Sequence, residues 1–120
     1  MKRIYLSALF AMAVLQTAAH AQSIPAVTAN ASAVITTGNT FQTVLAALAQ
    51  GAIGRRSLTI ENNNATDSCW ITVDGGAATK GTAILLLPGG SYARYYPYVP
   101  SQAIQATCAT TGDTLYVDTQ

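Results

Sequence analysis

Short runs in which apolar and polar residues alternate with a period of two, each closed by glycine, asparagine or proline, follow one another from about residue 34 to the end of the chain. That period puts successive side chains on opposite faces of an extended strand, and helical spacing does not produce it. Leu58 and Ile60 oppose Thr59 and Glu61, and Cys69, Ile71 and Val73 oppose Trp70, Thr72 and Asp74. Ile104, Ala106 and Cys108 share one phase against Gln105 and Thr107, as do Leu115 and Val117 against Tyr116 and Asp118. Ala83-Ile84-Leu85-Leu86-Leu87 is apolar throughout, which predicts a buried strand. Asn62-Asn63-Asn64, Asp74-Gly75-Gly76, Pro88-Gly89-Gly90 and Thr111-Gly112-Asp113 supply the turns, because glycine and asparagine tolerate positive φ. Pro88-Gly89 fits the central pair of a type II turn. Several strands at this spacing predict an all-β domain over residues 34–120, a single antiparallel β-sandwich or jelly-roll-like barrel.

One segment resists this reading. Phe41, Val44, Leu45 and Leu48 fit helical spacing, with Asn39 and Gln42 placed for a capping box, yet Thr40-Phe41-Gln42-Thr43-Val44 also fits a first strand. Pattern alone leaves residues 41–50 open between helix and strand.

Ahead of the domain, Lys2 and Arg3 precede an apolar stretch that only Ser7 interrupts, and Ala19-His20-Ala21 offers small residues at a cleavage site. Residues 1–21 therefore read as a signal peptide cleaved after Ala21, and the apolar stretch is too short to anchor a membrane. No other segment has the character of a membrane span. Residues 22–33, rich in Ala, Ser and Thr and free of charge, read as a flexible leader. The expected product is periplasmic or secreted. Cleavage also removes both basic residues of the signal and the only histidine, His20, so four basic residues remain against five acidic ones. That near-neutral balance gives no basis for nucleic acid as a partner.

Export gives the cysteines their meaning. Cys69 and Cys108 are the only two in the chain, the number for one bridge in an oxidising compartment, and both lie in the core-facing phase of their strands. A structural disulfide is expected. No CxxC pair exists, and with no histidine in the mature chain a zinc site lacks ligands, so neither metal nor cofactor is expected.

Catalytic chemistry is hard to assemble from this composition. Without histidine there is no Ser-His or Cys-His arrangement. Glu61, Asp67, Asp74, Asp113 and Asp118 are the only carboxylates on which a small hydrolase could draw, and most fall at turns or on solvent-facing phases. Asn62, Asn63, Asn64 and Asp67 read as a turn, because no ordered loop supplies the six to eight oxygens calcium wants. Arg55-Arg56 reads as a solvated strand entrance.

The best candidate site is aromatic. Tyr92, Arg94, Tyr95, Tyr96 and Tyr98 lie within seven positions beside Pro97 and Pro100. Tyrosine-rich segments of this kind present rigid amphipathic rings to a glycan or a protein surface. The alternative is the solvent face of an edge strand that Pro97 protects. Tyr95 and Tyr96 fall in opposite phases, so one is expected to pack inward and the other to face out.

Thr37-Gly38-Asn39-Thr40, Arg55-Arg56-Ser57-Leu58-Thr59-Ile60-Glu61-Asn62, the apolar run ending Leu87-Pro88-Gly89, Val99-Pro100-Ser101-Gln102-Ala103-Ile104 and the Thr110 to Val117 segment follow in order. Their succession resembles that of small β-sandwich proteins from tailed-phage and prophage structural regions. The resemblance covers most of residues 36–117. It implies a strand at Phe41 to Val44 and a virion accessory role, and carries over no catalytic residue. The sequence thus predicts an exported, non-enzymatic structural or binding module, with a phage-derived accessory protein as the alternative.

Overall fold

A computed structural model describes residues 29–120; the expected signal peptide and the first part of the leader lie outside them. Eight strands form: β1 (Ala29–Val34), β2 (Gln42–Leu45), β3 (Ser57–Asn62), β4 (Cys69–Thr72), β5 (Ile84–Leu86), β6 (Ser91–Tyr95), β7 (Ile104–Cys108) and β8 (Thr114–Thr119). No helix occurs among the described residues. The strands make two four-stranded antiparallel sheets, one in the order β1-β8-β3-β6 and the other β2-β7-β4-β5. Partners β1·β8, β2·β7, β3·β6 and β4·β5 nest like one long hairpin folded over on itself, and β3·β8 and β4·β7 join the nested pairs into sheets. That connectivity is the jelly roll.

The predicted phases hold in the central strands. Leu58, Ile60, Leu115 and Val117 of one sheet face Cys69, Ile71, Ile104, Ala106 and Cys108 of the other, and all are buried. The Pro88-Gly89 turn closes as expected, with Gly89 at φ +70° and Gly90 N–H donating to Leu87 O at 2.7 Å. Gly38 is required by a close approach: a Cβ there would stand 2.9 Å from the Thr111 backbone nitrogen.

Residues 42–45 are a strand, carrying a bulge between Thr43 and Leu45. The proposed cap is used otherwise. Asn39 sits at φ +60° with its amide donating to Ala109 O, and the Gln42 amide donates to Val34 O. Backbone pairing with β7 therefore outcompetes an isolated helical turn, which is marginal at this length.

The leader expected to be flexible over residues 22–33 is a strand in its last part. Its last residues, Ala29 to Ala33, form most of β1 because β8 offers them a free ladder from Thr119 to Leu115. Ala83 to Leu87 also departs from expectation. Leu86 is buried, but Ile84, Leu85 and Leu87 are exposed, because β5 is an edge strand with β4 on one side only. Arg55 is not solvated: it is buried, and its guanidinium donates to Pro100 O at 2.5 Å, Gln102 O at 3.1 Å and Ala46 O at 2.5 Å.

Cys69 and Cys108 form the expected disulfide and are both fully buried. They are register partners across β4 and β7, with Cα atoms 4.0 Å apart and Ala109 N–H donating to Ser68 O just beyond them. This is the narrow, non-hydrogen-bonded position of an antiparallel ladder, where side chains approach most closely.

Candidate binding surface

The five residues singled out in the Tyr-rich segment divide in two. Tyr92 is directly opposite Ile60 of β3 and inherits its inward phase, so it is part of the core at 8 % exposure. It cannot offer a ring to a ligand, and it is not on a solvent face. Arg94 shares that phase two residues on, near the open end of the sandwich, and lays its guanidinium 4.6 Å from the centre of the Tyr92 ring. It shields the ring and leaves its own charge in water.

The remaining three are displayed together. Strand β6 ends at Tyr95, the Tyr96–Pro97 peptide is cis, and Tyr98 N–H donates to Tyr95 O at 3.0 Å to close the turn. Tyr96 N–H donates to Arg56 O at 2.8 Å, which ties the turn to the start of β3. Tyr95, Tyr96 and Tyr98 are 65, 78 and 80 % exposed. The expected division of Tyr95 and Tyr96 between inside and outside does not occur. Strand alternation stops at Tyr95, so Tyr96 belongs to the turn and has no inward position to take.

Behind this turn stands the buried Arg55. Its three carbonyl acceptors belong to the segment leaving the turn, at Pro100 and Gln102, and to the loop after β2, at Ala46. No carboxylate neutralises it, and burial pulls its pKa below the ordinary guanidinium value. The residue is a fixed tie between loops.

The Asn-rich segment is structural. Asn62 is fully buried, and its amide donates to Asp67 O, Leu86 O and Leu87 O at 2.8, 3.0 and 3.1 Å. Its Oδ1 accepts from Asn64 Nδ2 at 2.7 Å, while Asn64 Oδ1 accepts from Thr114 N–H at 3.0 Å. These oxygens are already bound within the protein. Asp113 lies beside Cys69 and Cys108 within 4.8 Å, but both sulfurs are held in the disulfide and offer no thiolate to a metal. Asp74 and Asp113 accept from Gly76 N–H and Thr110 N–H inside their own turns.

Sequence reasoning missed one packed arrangement. The segment 73–83 returns over the outer face of the β2-β7-β4-β5 sheet, where Gly75 lies against Gln102 and Lys80 reaches Trp70 and Asn39. Thr72 and Thr107, in the outward phase, are consequently buried, and Thr72 Oγ1 has no hydrogen-bond partner among the described residues. The only available signal was the outward phase of Trp70, the one tryptophan of the chain.

No family model, curated protein or solved structure matches this chain. The formed, buried disulfide accords with a non-cytoplasmic location.

Proposed function

We propose that this protein is an exported, non-enzymatic binding module whose contact surface is the turn bearing Tyr95, Tyr96 and Tyr98. The observation that carries the reading is the exposure of three tyrosines on one backbone-tethered turn, each at 65 % or more. Surfaces rarely leave several large aromatics in water without use, and tyrosine gives broad contact area at low entropic cost. The tethers from Tyr96 to Arg56 and from Arg55 to Pro100 fix the turn in advance, which lowers the ordering cost of binding. The signal peptide ending at Ala21 and the disulfide support a periplasmic or secreted location.

A Tyr96→Ala, Tyr98→Ala double variant tests the reading. Each surface substitution changes stability by no more than about 0.5 kcal/mol, so the pair together costs at most about 1 kcal/mol, or roughly 4–8 °C in Tm for a domain this small. The variant is expected to melt within that margin and to lose the partner that the unmodified protein retains on a glycan array or in a protein-binding screen. A much larger drop in Tm, or unchanged binding, rejects the proposal.

The jelly-roll strand order favours a second reading, a phage-derived virion accessory protein, because capsid proteins are among the users of this fold. The resemblance in residues 36–117 supports it. Neighbouring genes for head and tail proteins, and the chain's presence in purified particles, are its expected observations; absence of both removes it.

A further inference from the structure

We propose that the tyrosine turn takes an acidic polysaccharide, one whose sugar rings carry carboxylates, with Arg94 and Arg56 as the residues that read the acid. The inference rests on the reading of that turn as the contact surface and adds the chemical class of what it holds.

Charge is divided along the sandwich. After signal cleavage four basic residues remain, and Arg55, Arg56 and Arg94 are three of them. Arg55 is buried behind the turn, while Arg56 and Arg94 are exposed beside it. Tyr96 N–H donates to Arg56 O, and Arg94 lies one residue before Tyr95, opposite Leu58 on β3. Residues 22–60 contain no carboxylate, nor do residues 75–112. Strand β3 runs away from the turn, so Glu61 and, in the loop that follows, Asp67 lie toward the far end. There Asn63 N–H donates to Thr114 O, and Asp113 stands just ahead of β8. Asp74 is turned to Gly76 N–H, and Asp118 is on β8, with β3 between it and β6. The tyrosines therefore stand at the cationic end of a nearly neutral domain, and charge complementarity selects an anion.

Hydrogen bonding separates a saccharide from an acidic peptide. A peptide captured at a sheet edge adds a strand and bonds through its backbone. Strand β6 is such an edge, and the bond from Tyr96 N–H to Arg56 O sets its phase, turning the backbone groups of Ala93 and Tyr95 outward. Both outward carbonyls are already engaged: Ala93 O accepts from Arg94 Nη1 at 3.1 Å and Tyr95 O from Tyr98 N–H at 3.0 Å. The edge offers no ladder beside the turn, and recognition falls to side chains. Those exposed from Arg94 to Tyr98 are rings, a guanidinium and a proline, with no branched aliphatic group to anchor a protein. A tyrosine ring stacks on the C–H face of a sugar while its O–H bonds a hydroxyl. Arg94, held over the Tyr92 ring, spends Nη1 on Ala93 O, and its Nη2 has no acceptor among the described residues. Its free edge is placed for bidentate contact with a planar carboxylate.

Binding of the mature chain to polygalacturonate tests the inference against two controls. The fully methyl-esterified polymer keeps the sugar rings and removes the charge; poly-glutamate keeps the charge and removes the rings. Polygalacturonate is expected to bind at low salt at least tenfold more tightly than either, and the preference to shrink as salt screens the exposed pairs. Arg56→Gln, Arg94→Gln is expected to abolish the preference with the β-sheet dichroism unchanged. Arg94→Lys is the second variant: it keeps a cation beside Tyr92, removes the fork and is expected to weaken binding several-fold. Equal binding of the ester or of poly-glutamate, indifference to the arginine variants, or no binding to polygalacturonate overturns the inference. Tyr96→Ala, Tyr98→Ala separates its failure from that of the contact surface. Where this variant removes binding to the ester that the arginine variants leave intact, the turn is the contact surface and the acid preference alone is wrong. Where polygalacturonate binding survives it, both fail.

Discussion

Lys80 Nζ stands 3.9 Å from the centre of the Trp70 ring and donates to Asn39 Oδ1 at 2.5 Å, joining the segment 73–83 to the outer face of its own sheet. Both contacts depend on one ammonium group. An exposed cation–π contact contributes about 0.5–1 kcal/mol. Lys80→Ala is therefore expected to lower Tm by a few degrees. Because Trp70 is the only tryptophan, the same variant is expected to show stronger acrylamide quenching of tryptophan fluorescence as the ring loses its cover. Unchanged quenching would falsify the latch.

Removing the disulfide is expected to cost far more. The bridge closes a separation of 39 residues and links register partners at the centre of one sheet. Cys69→Ala, Cys108→Ala should lose about 2–4 kcal/mol in denaturant unfolding, chiefly because the unfolded chain gains freedom. Protein exported to an oxidising compartment should titrate with no free thiol when denatured, and two free thiols would contradict the bridge.

Asn62 distinguishes a hydrogen-bonding role from a space-filling one. Asn62→Asp is nearly isosteric but sets a carboxylate against the Asp67, Leu86 and Leu87 carbonyls in a fully buried site. Burial and those acceptors raise the folded-state pKa of the new carboxyl. A group with a raised pKa costs least below its unfolded pKa and progressively more as pH rises through the folded one. N62D is thus expected to be destabilised at neutral pH and to recover in part toward pH ~4, relative to the unmodified protein. A deficit independent of pH contradicts the buried-charge account.

Arg55→Lys keeps the charge and removes the fork. One ammonium cannot reproduce the reach of two Nη atoms to Pro100, Gln102 and Ala46. These carbonyls are part-buried, so leaving them without donors costs at most about 1–3 kcal/mol in all, seen as a Tm lowered by roughly 4–8 °C for each kcal/mol. Binding through the tyrosine turn should weaken as well, since the segment that follows the turn loses its anchor.

The tyrosine segment shows where pattern reading stops. Alternation alone placed Tyr92 with Tyr96 and Tyr98, but a phase has no inside or outside until the partner strand is known. Pairing with Ile60 sends Tyr92 into the core, and the end of β6 at Tyr95 frees Tyr96 from alternation. Ala83 to Leu87 fails in the same way. A continuous apolar run reads as buried on both faces, whereas position at a sheet edge exposes Leu85 and Leu87. Arg55 carried no local signal, because its acceptors at 46, 100 and 102 come together only when three loops converge.

What the sequence by itself determined is local: the strand phases of Leu58 to Ile60, Cys69 to Ile71, Ile104 to Cys108 and Leu115 to Val117, the Pro88-Gly89 turn, and the pairing of the only two cysteines. Each follows from side-chain period, backbone φ preference or count, and none needs a distant partner. The tertiary structure alone decided which strands lie at edges, which tyrosines reach water, and what holds the turn that presents them. Those outcomes depend on register between strands far apart in the chain, and register is set by packing of the whole core rather than by any one segment.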